Sequence, residues 1–165
     1  MELNTILMEA PTCIARIIAY LRNQHLTLGT AESCSGGLIA HMLTNVSGVS
    51  DVYEGGVVTY SNALKSKLLG VSETTLIREG AVSAAVAQEM AAGALEGLGV
   101  DWALAVTGIA GPSGGTPEKP VGLVYMAVAG PDTLIVRRHV FNGNRESIKL
   151  QTAEAALTLL WESFK

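Results

Sequence analysis

Runs of basic residues are missing from this chain. The net charge is −4, only 16% of the 165 residues are charged, and no stretch clusters Lys with Arg or interleaves them with aromatics. Recognition of a DNA or RNA backbone by phosphate neutralisation is excluded on that ground, although a small anion held by backbone N–H groups needs no net basicity. Long apolar runs are missing too: none approaches the roughly 20 residues that span a bilayer. The N-terminal MELNTILMEAPT has no basic segment followed by a continuous apolar one, so neither a membrane partner nor a signal peptide is expected, and the expected location is cytoplasmic. There are two cysteines, Cys13 and Cys34, on different elements and without metal-type spacing, which reads as two free thiols in a reducing compartment. His25, His41 and His139 show no ligand spacing, so no metal site is expected. The P-loop pattern G-x-x-x-x-G-K-[ST] and the dinucleotide pattern G-x-G-x-x-G are both absent.

What is present fits one domain over residues 1–165: 48% of the chain is apolar, with no linker, repeat or low-complexity tract. Residues 5–24 carry Ile14, Ile17, Ile18 and Leu21 at helical spacing, with Pro11 expected in the first turn or just ahead of it. LTLGTAE reads as a strand, GGLIAHMLTNVSG as a helix closing near Gly48, and GGVVTY as a short strand. SNALKSKLLG is a helix capped by Ser61 and ended by Gly70, and Ser83 opens another. WALAVTG has the length and apolarity of a fully buried strand; VGLVYMAVAG and TLIVRRHVF flank PD as a hairpin. A last helix runs from Asn144, with Ile148, Ala155, Leu159 and Leu160 inward. Helices alternating with apolar strands, plus one hairpin, predict a three-layer α/β/α sandwich with a mixed, mostly parallel sheet.

Three stretches carry chemistry. TAESCSGG, residues 30–37, falls between a strand and a helix, where free helix N–H groups point outward and where ligands collect in open α/β sheets. Gly36 and Gly37 permit close approach to the backbone, and Ser33 and Ser35 add hydroxyls. The plain alternative is a strand–helix turn capped by Ser35 with Glu32 in solvent. TGIAGPSGGTPEKPVG, residues 107–122, follows the buried strand and forms a long loop; Thr107 and Gly108 end the strand and are expected at the same sheet edge as Ser33, and a merely flexible loop is the alternative. In YSNALK, Tyr60 ends a strand while Asn62 and Lys65 share a helix face; Lys65 is either a base made neutral by burial or an ordinary solvated lysine. Arg145 opens the last helix and suits a phosphate or a carboxylate, or else a rim salt bridge.

Taken together, TAESCSGG, GGVVTYSNALKSKLLGV, EGAVS and VTGIAGPSGGTPEKPVG resemble the C-terminal domain of the competence/damage-inducible protein CinA, in the family's order and over roughly residues 10–163. The resemblance implies the stand-alone form of a three-layer α/β/α domain. It also implies hydrolysis of the carboxamide of nicotinamide mononucleotide to nicotinate mononucleotide and ammonia, without metal or cofactor. Where the family often has Thr after the position of Cys34, this chain has Ser35.

For that reaction, Ser33 is the expected nucleophile, Lys65 its base and Tyr60 an orienting or relaying group. Cys34 is the rival nucleophile, because a helix N-terminus lowers a thiol's pKa. Glu32, Ser35, Gly36, Gly37, Asn62, Thr107, Gly108, Gly111 and Arg145 are expected to bind substrate: Glu32 through ribose hydroxyls or the cationic ring, the glycine N–H groups and Arg145 through phosphate. The alternative function is a nucleotide-binding regulatory module without catalysis. Apolar helices and a mean hydropathy of +0.35 in a short chain lead to an expected homodimer.

Overall fold

The computed structural model describes the backbone of residues 3–164 and the side chains of residues 11–164. In chain order the elements are α1 (Leu3–Gln24), β1 (Leu28–Glu32), α2 (Leu38–Thr44), a 3-10 turn (Val49–Asp51), β2 (Tyr53–Val58), α3 (Asn62–Leu69), α4 (Glu73–Glu79), α5 (Ala84–Gly97), β3 (Trp102–Gly108), β4 (Leu123–Gly130), β5 (Thr133–Val140) and α6 (Arg145–Ser163). The sheet order is β2-β1-β3-β4-β5. β1 runs parallel to both β2 and β3, whereas β4 is antiparallel to β3 and β5. Helices cover both faces, giving the expected three-layer α/β/α architecture with a mixed sheet.

The two faces differ in side-chain size. Trp102, Leu104 and Val106 of β3 and Val124, Met126 and Val128 of β4 point towards α1, α2 and α6. Ala103 and Ala105, with Ala127 and Ala129, point towards α5. Strand alternation sends successive residues to opposite faces, so the small set lets a helix come in close. α5 answers with small residues of its own: Ala87, Ala91 and Ala94 are all fully buried.

Boundaries differ from expectation in three places. Pro11 lies inside α1, on an exposed position, so the helix passes it at the loss of one backbone donor. α2 stops at Thr44 rather than near Gly48, and a separate 3-10 turn follows Gly48, whose backbone is left-handed at φ 78°. The short α4 was not expected; Ser72 caps it by accepting from the Thr75 N–H, a signal that stood in the sequence as S-E-T-T.

Gly93 shows how tight the α5 layer is. A Cβ placed there would stand 1.8 Å from the Leu69 carbonyl oxygen of α3, whereas at Gly97 the nearest α3 atom would be 3.7 Å away. Gly93→Ala should therefore destabilise the fold by about 1–3 kcal/mol, while Gly97→Ala should be tolerated. Urea denaturation of the two variants distinguishes them, and equal stability would contradict this packing.

Candidate active site

Three parallel strands end level with one another. Glu32 at the end of β1 pairs with Val58 of β2 and Val106 of β3, so the residues that follow all emerge at one sheet edge. Ser33 N–H donates to the Val106 carbonyl and Thr59 N–H to the Glu32 carbonyl, which ties the three exits together. A pocket of about 160 Å³ opens there, and Ser33, Tyr60, Asn62, Lys65, Thr107, Gly108 and Arg145 line it with Cys34, Ala81, Val82 and Ala110.

Lys65 is the unusual group in this pocket. Its side chain is 1% exposed, and the ammonium nitrogen bonds the Ser33 hydroxyl at 3.0 Å and the Thr59 carbonyl at 2.7 Å. No carboxylate lies within ion-pair distance among the described residues, and burial pushes its pKa below the ordinary lysine value. The solvated-lysine alternative is removed by that burial. The reach follows from local structure: Ser61 caps α3, its hydroxyl accepting from the Leu64 N–H, and the first turn presents Lys65 inward under Tyr60.

Glu32 takes a different place from the one expected. It is 1% exposed, and its carboxylate accepts from the Ser35 hydroxyl at 2.5 Å and from the N–H groups of Gly37, Ile39 and Ala40 at 3.1, 3.1 and 2.8 Å. It therefore serves as the internal anion at the start of α2 and has no oxygen turned to the pocket. Of these donors, the Gly37 N–H was expected to hold phosphate and Ser35 to bind substrate. Gly36 N–H, for its part, donates to the Ser33 carbonyl. The α2 N-terminus is thus filled by the protein itself, and Ser35, Gly36 and Gly37 shape the turn instead of lining the pocket.

Other expected residues are redistributed. Tyr60 is 62% exposed, and its hydroxyl accepts from Arg145 at 2.9 Å, so it lines the pocket without touching Ser33 or Lys65. Arg145 also donates to the Gly111 carbonyl at 2.7 Å, which brings Gly111 to the site through its backbone and replaces the rim salt bridge with two neutral acceptors. Thr107 donates to the Ala81 carbonyl at 2.8 Å. That bond draws the EGAVS segment into the pocket wall, and residue types alone gave no sign of it. The 109–122 loop is anchored: Gly122 N–H donates to the Ile109 carbonyl at 2.7 Å, and the Lys119 ammonium to the Glu79 carbonyl at 2.5 Å.

Such a site defines a class: an α/β/α domain with a buried serine–lysine pair at the carboxyl ends of its parallel strands. The chain belongs to the CinA C-terminal domain family, whose model matches residues 11–164. It is 56% identical over 134 residues to a CinA-like protein of Geotalea daltonii and 51% identical over 146 residues to one of Synechococcus sp.. Those matches take in 81% and 87% of this chain but only 32% and 35% of the relatives, so the chain spans about a third of their length. Among solved structures, the competence/damage inducible protein CihA of Agrobacterium tumefaciens superposes with a TM-score of 0.92 at 42% identity, covering 94% of this chain and 96% of that one. The competence damage-inducible protein A of Klebsiella pneumoniae gives 0.90 at 35% identity, covering 94% and 96%.

Cys34 faces the same pocket but is 5% exposed, and burial raises its thiol pKa to about 12. A thiol that stays protonated is a poor nucleophile. In the folded protein Cys34 should resist iodoacetamide at mildly alkaline pH and react once the chain is denatured, as read by mass spectrometry of the tryptic peptides. Fast labelling of the native protein would restore the thiol as a candidate.

Proposed function

We propose that the domain is an amidohydrolase that converts nicotinamide mononucleotide to nicotinate mononucleotide and ammonia. The observation that carries the reading is the 3.0 Å contact between the buried Lys65 nitrogen and the Ser33 hydroxyl, in a pocket without a histidine. A serine hydroxyl needs a neighbouring base, and a lysine supplies one when desolvation favours its neutral form.

In the first step Ser33 Oγ attacks the carboxamide carbon and its proton passes to Lys65 Nζ. The tetrahedral intermediate collapses as Lys65 returns the proton to the amide nitrogen, which leaves as ammonia. A water molecule then attacks the acyl-serine ester, giving a proton to Lys65 that is handed back to Ser33 Oγ. The intermediate's oxyanion needs hydrogen-bond donors at the pocket. Tyr60 and Asn62 flank the entrance, suited to the ring and the ribose. No metal or organic cofactor takes part in this scheme. A homodimer and a cytoplasmic location accompany the proposal.

Ser33→Ala and Lys65→Ala should each lower kcat by at least about 10³-fold, as measured by coupled ammonia release. Cys34→Ala should keep most of the activity. Nucleotide binding by the wild type with no ammonia released would favour the rival reading, a regulatory module without catalysis.

Lys65 also predicts a pH dependence. Because its folded pKa is depressed, the unfolded chain binds the extra proton between the two pKa values, so stability rises with pH up to the ordinary lysine value. Activity should climb over the same range as the amine is freed, with a midpoint below that of a solvated lysine. In Lys65→Met the stability gain should disappear; a variant whose stability follows pH as the wild type does would contradict the assignment.

A further inference from the structure

We propose that Lys149 is the second cation of an anion subsite, completed by Arg145, that takes the 5′-phosphate of the substrate. The inference rests on the mononucleotide reading above and deepens it by placing the charged end of the ligand.

The glycine turn has no donors left for a phosphate. Gly37, Ile39 and Ala40 give their N–H groups to Glu32, and Gly36 gives its own to the Ser33 carbonyl. An anion beside this turn therefore finds none of these N–H groups free, and charged side chains become the donors to look for. Arg145 and Lys149 stand one turn apart on α6, four residues from each other and hence on one stripe of the helix. Arg145 lines the pocket. Lys149 reaches back over the turn: a Cβ built on Gly36 would lie 3.5 Å from its ammonium nitrogen.

Among the described residues, neither cation has a counter-charge within ion-pair distance. Arg145 bonds only the Gly111 carbonyl and the Tyr60 hydroxyl, both neutral. The half-buried Lys149 has no acidic partner within ion-pair distance, although Glu146 sits three residues before it on the same helix. In a chain with 15 acidic and 11 basic residues, Arg145 in the pocket wall and Lys149 over the neighbouring Gly36 turn, both without a described carboxylate partner, form a local positive field in an acidic surround. A phosphomonoester carries about −1.5 to −2 at neutral pH, a charge that two such groups match. With the amide at Ser33, the sugar-phosphate end of the substrate leaves through the pocket mouth past Tyr60, towards this stripe.

The test uses the whole chain in wild-type, Lys149→Gln and Lys149→Arg forms, with far-UV circular dichroism to show that all three are folded. Ribose 5-phosphate binding is measured by calorimetry, and ammonia release is followed with nicotinamide mononucleotide and with nicotinamide riboside. Lys149→Gln should weaken ribose 5-phosphate binding and raise KM for the nucleotide, each by about tenfold or more, with a smaller change in kcat. Its loss of kcat/KM on the riboside should be far smaller, and Lys149→Arg should recover most of the binding. Wild-type strength of ribose 5-phosphate binding in Lys149→Gln would overturn the subsite, as would equal losses on nucleotide and riboside or no binding by the wild type. Ammonia release with no effect of Lys149→Gln removes the subsite and leaves the amidase reading standing. Phosphate binding that depends on Lys149 without any ammonia release does the reverse.

Discussion

The Glu32 carboxylate, sealed under the turn that follows β1, is the constraint on which this site is built. It gathers a hydroxyl and three backbone N–H groups, the set that a helix of this kind otherwise offers to water or to a ligand. A carboxylate at a helix start is favoured by the helix dipole, and its burial is compensated by the donors around it. The turn can close in this way because Gly36 and Gly37 adopt left-handed backbone, at φ 63° and 98°. Ser33, next in sequence to Glu32, is thereby fixed in direction. Its N–H is tied to β3, and the Glu32 carbonyl holds the Thr59 N–H whose own carbonyl takes Lys65. The residue that carries the buried acid thus also holds, through its backbone carbonyl, the Thr59 peptide that takes Lys65.

The sheet contributes by its asymmetry. Bulky side chains on the α1–α2–α6 face make the main core, while alanines on the other face let α5 lie close against β3 and β4. The segment leading into α5 is brought down with it, which is why Ala81 and Val82 reach the pocket and why Thr107 can bond the Ala81 carbonyl. Small residues in the core therefore have a consequence at the site: they set the distance of its far wall.

Charge is unevenly distributed across the pocket. Burial pushes the pKa of Lys65 below the ordinary lysine value. The Arg145 guanidinium is partly engaged by neutral oxygens and has donors to spare. Both groups lie within a domain that makes up about a third of the relatives it matches. The two solved neighbours superpose on nearly all of it.

Local chemistry was legible in the chain. The caps Ser61 and Ser83, the terminator Gly70, the hairpin at Pro131–Asp132 and the buried strand WALAVTG all form as patterned, because each depends on neighbours within a few residues. So did the convergence of the loops after β1, β2 and β3, since parallel strands of level length end on one edge. What each polar side chain does once there was not legible. Glu32 looked like a ligand and became an internal anion, because the donors that claim it belong to the helix behind it. Tyr60 looked like a relay and instead meets Arg145, 85 residues away in sequence. Lys65 was open between base and solvated cation until packing excluded water from it. Periodicity and caps report short-range preferences, whereas the burial and partner of a charged group are set by chain segments that meet only when the domain closes.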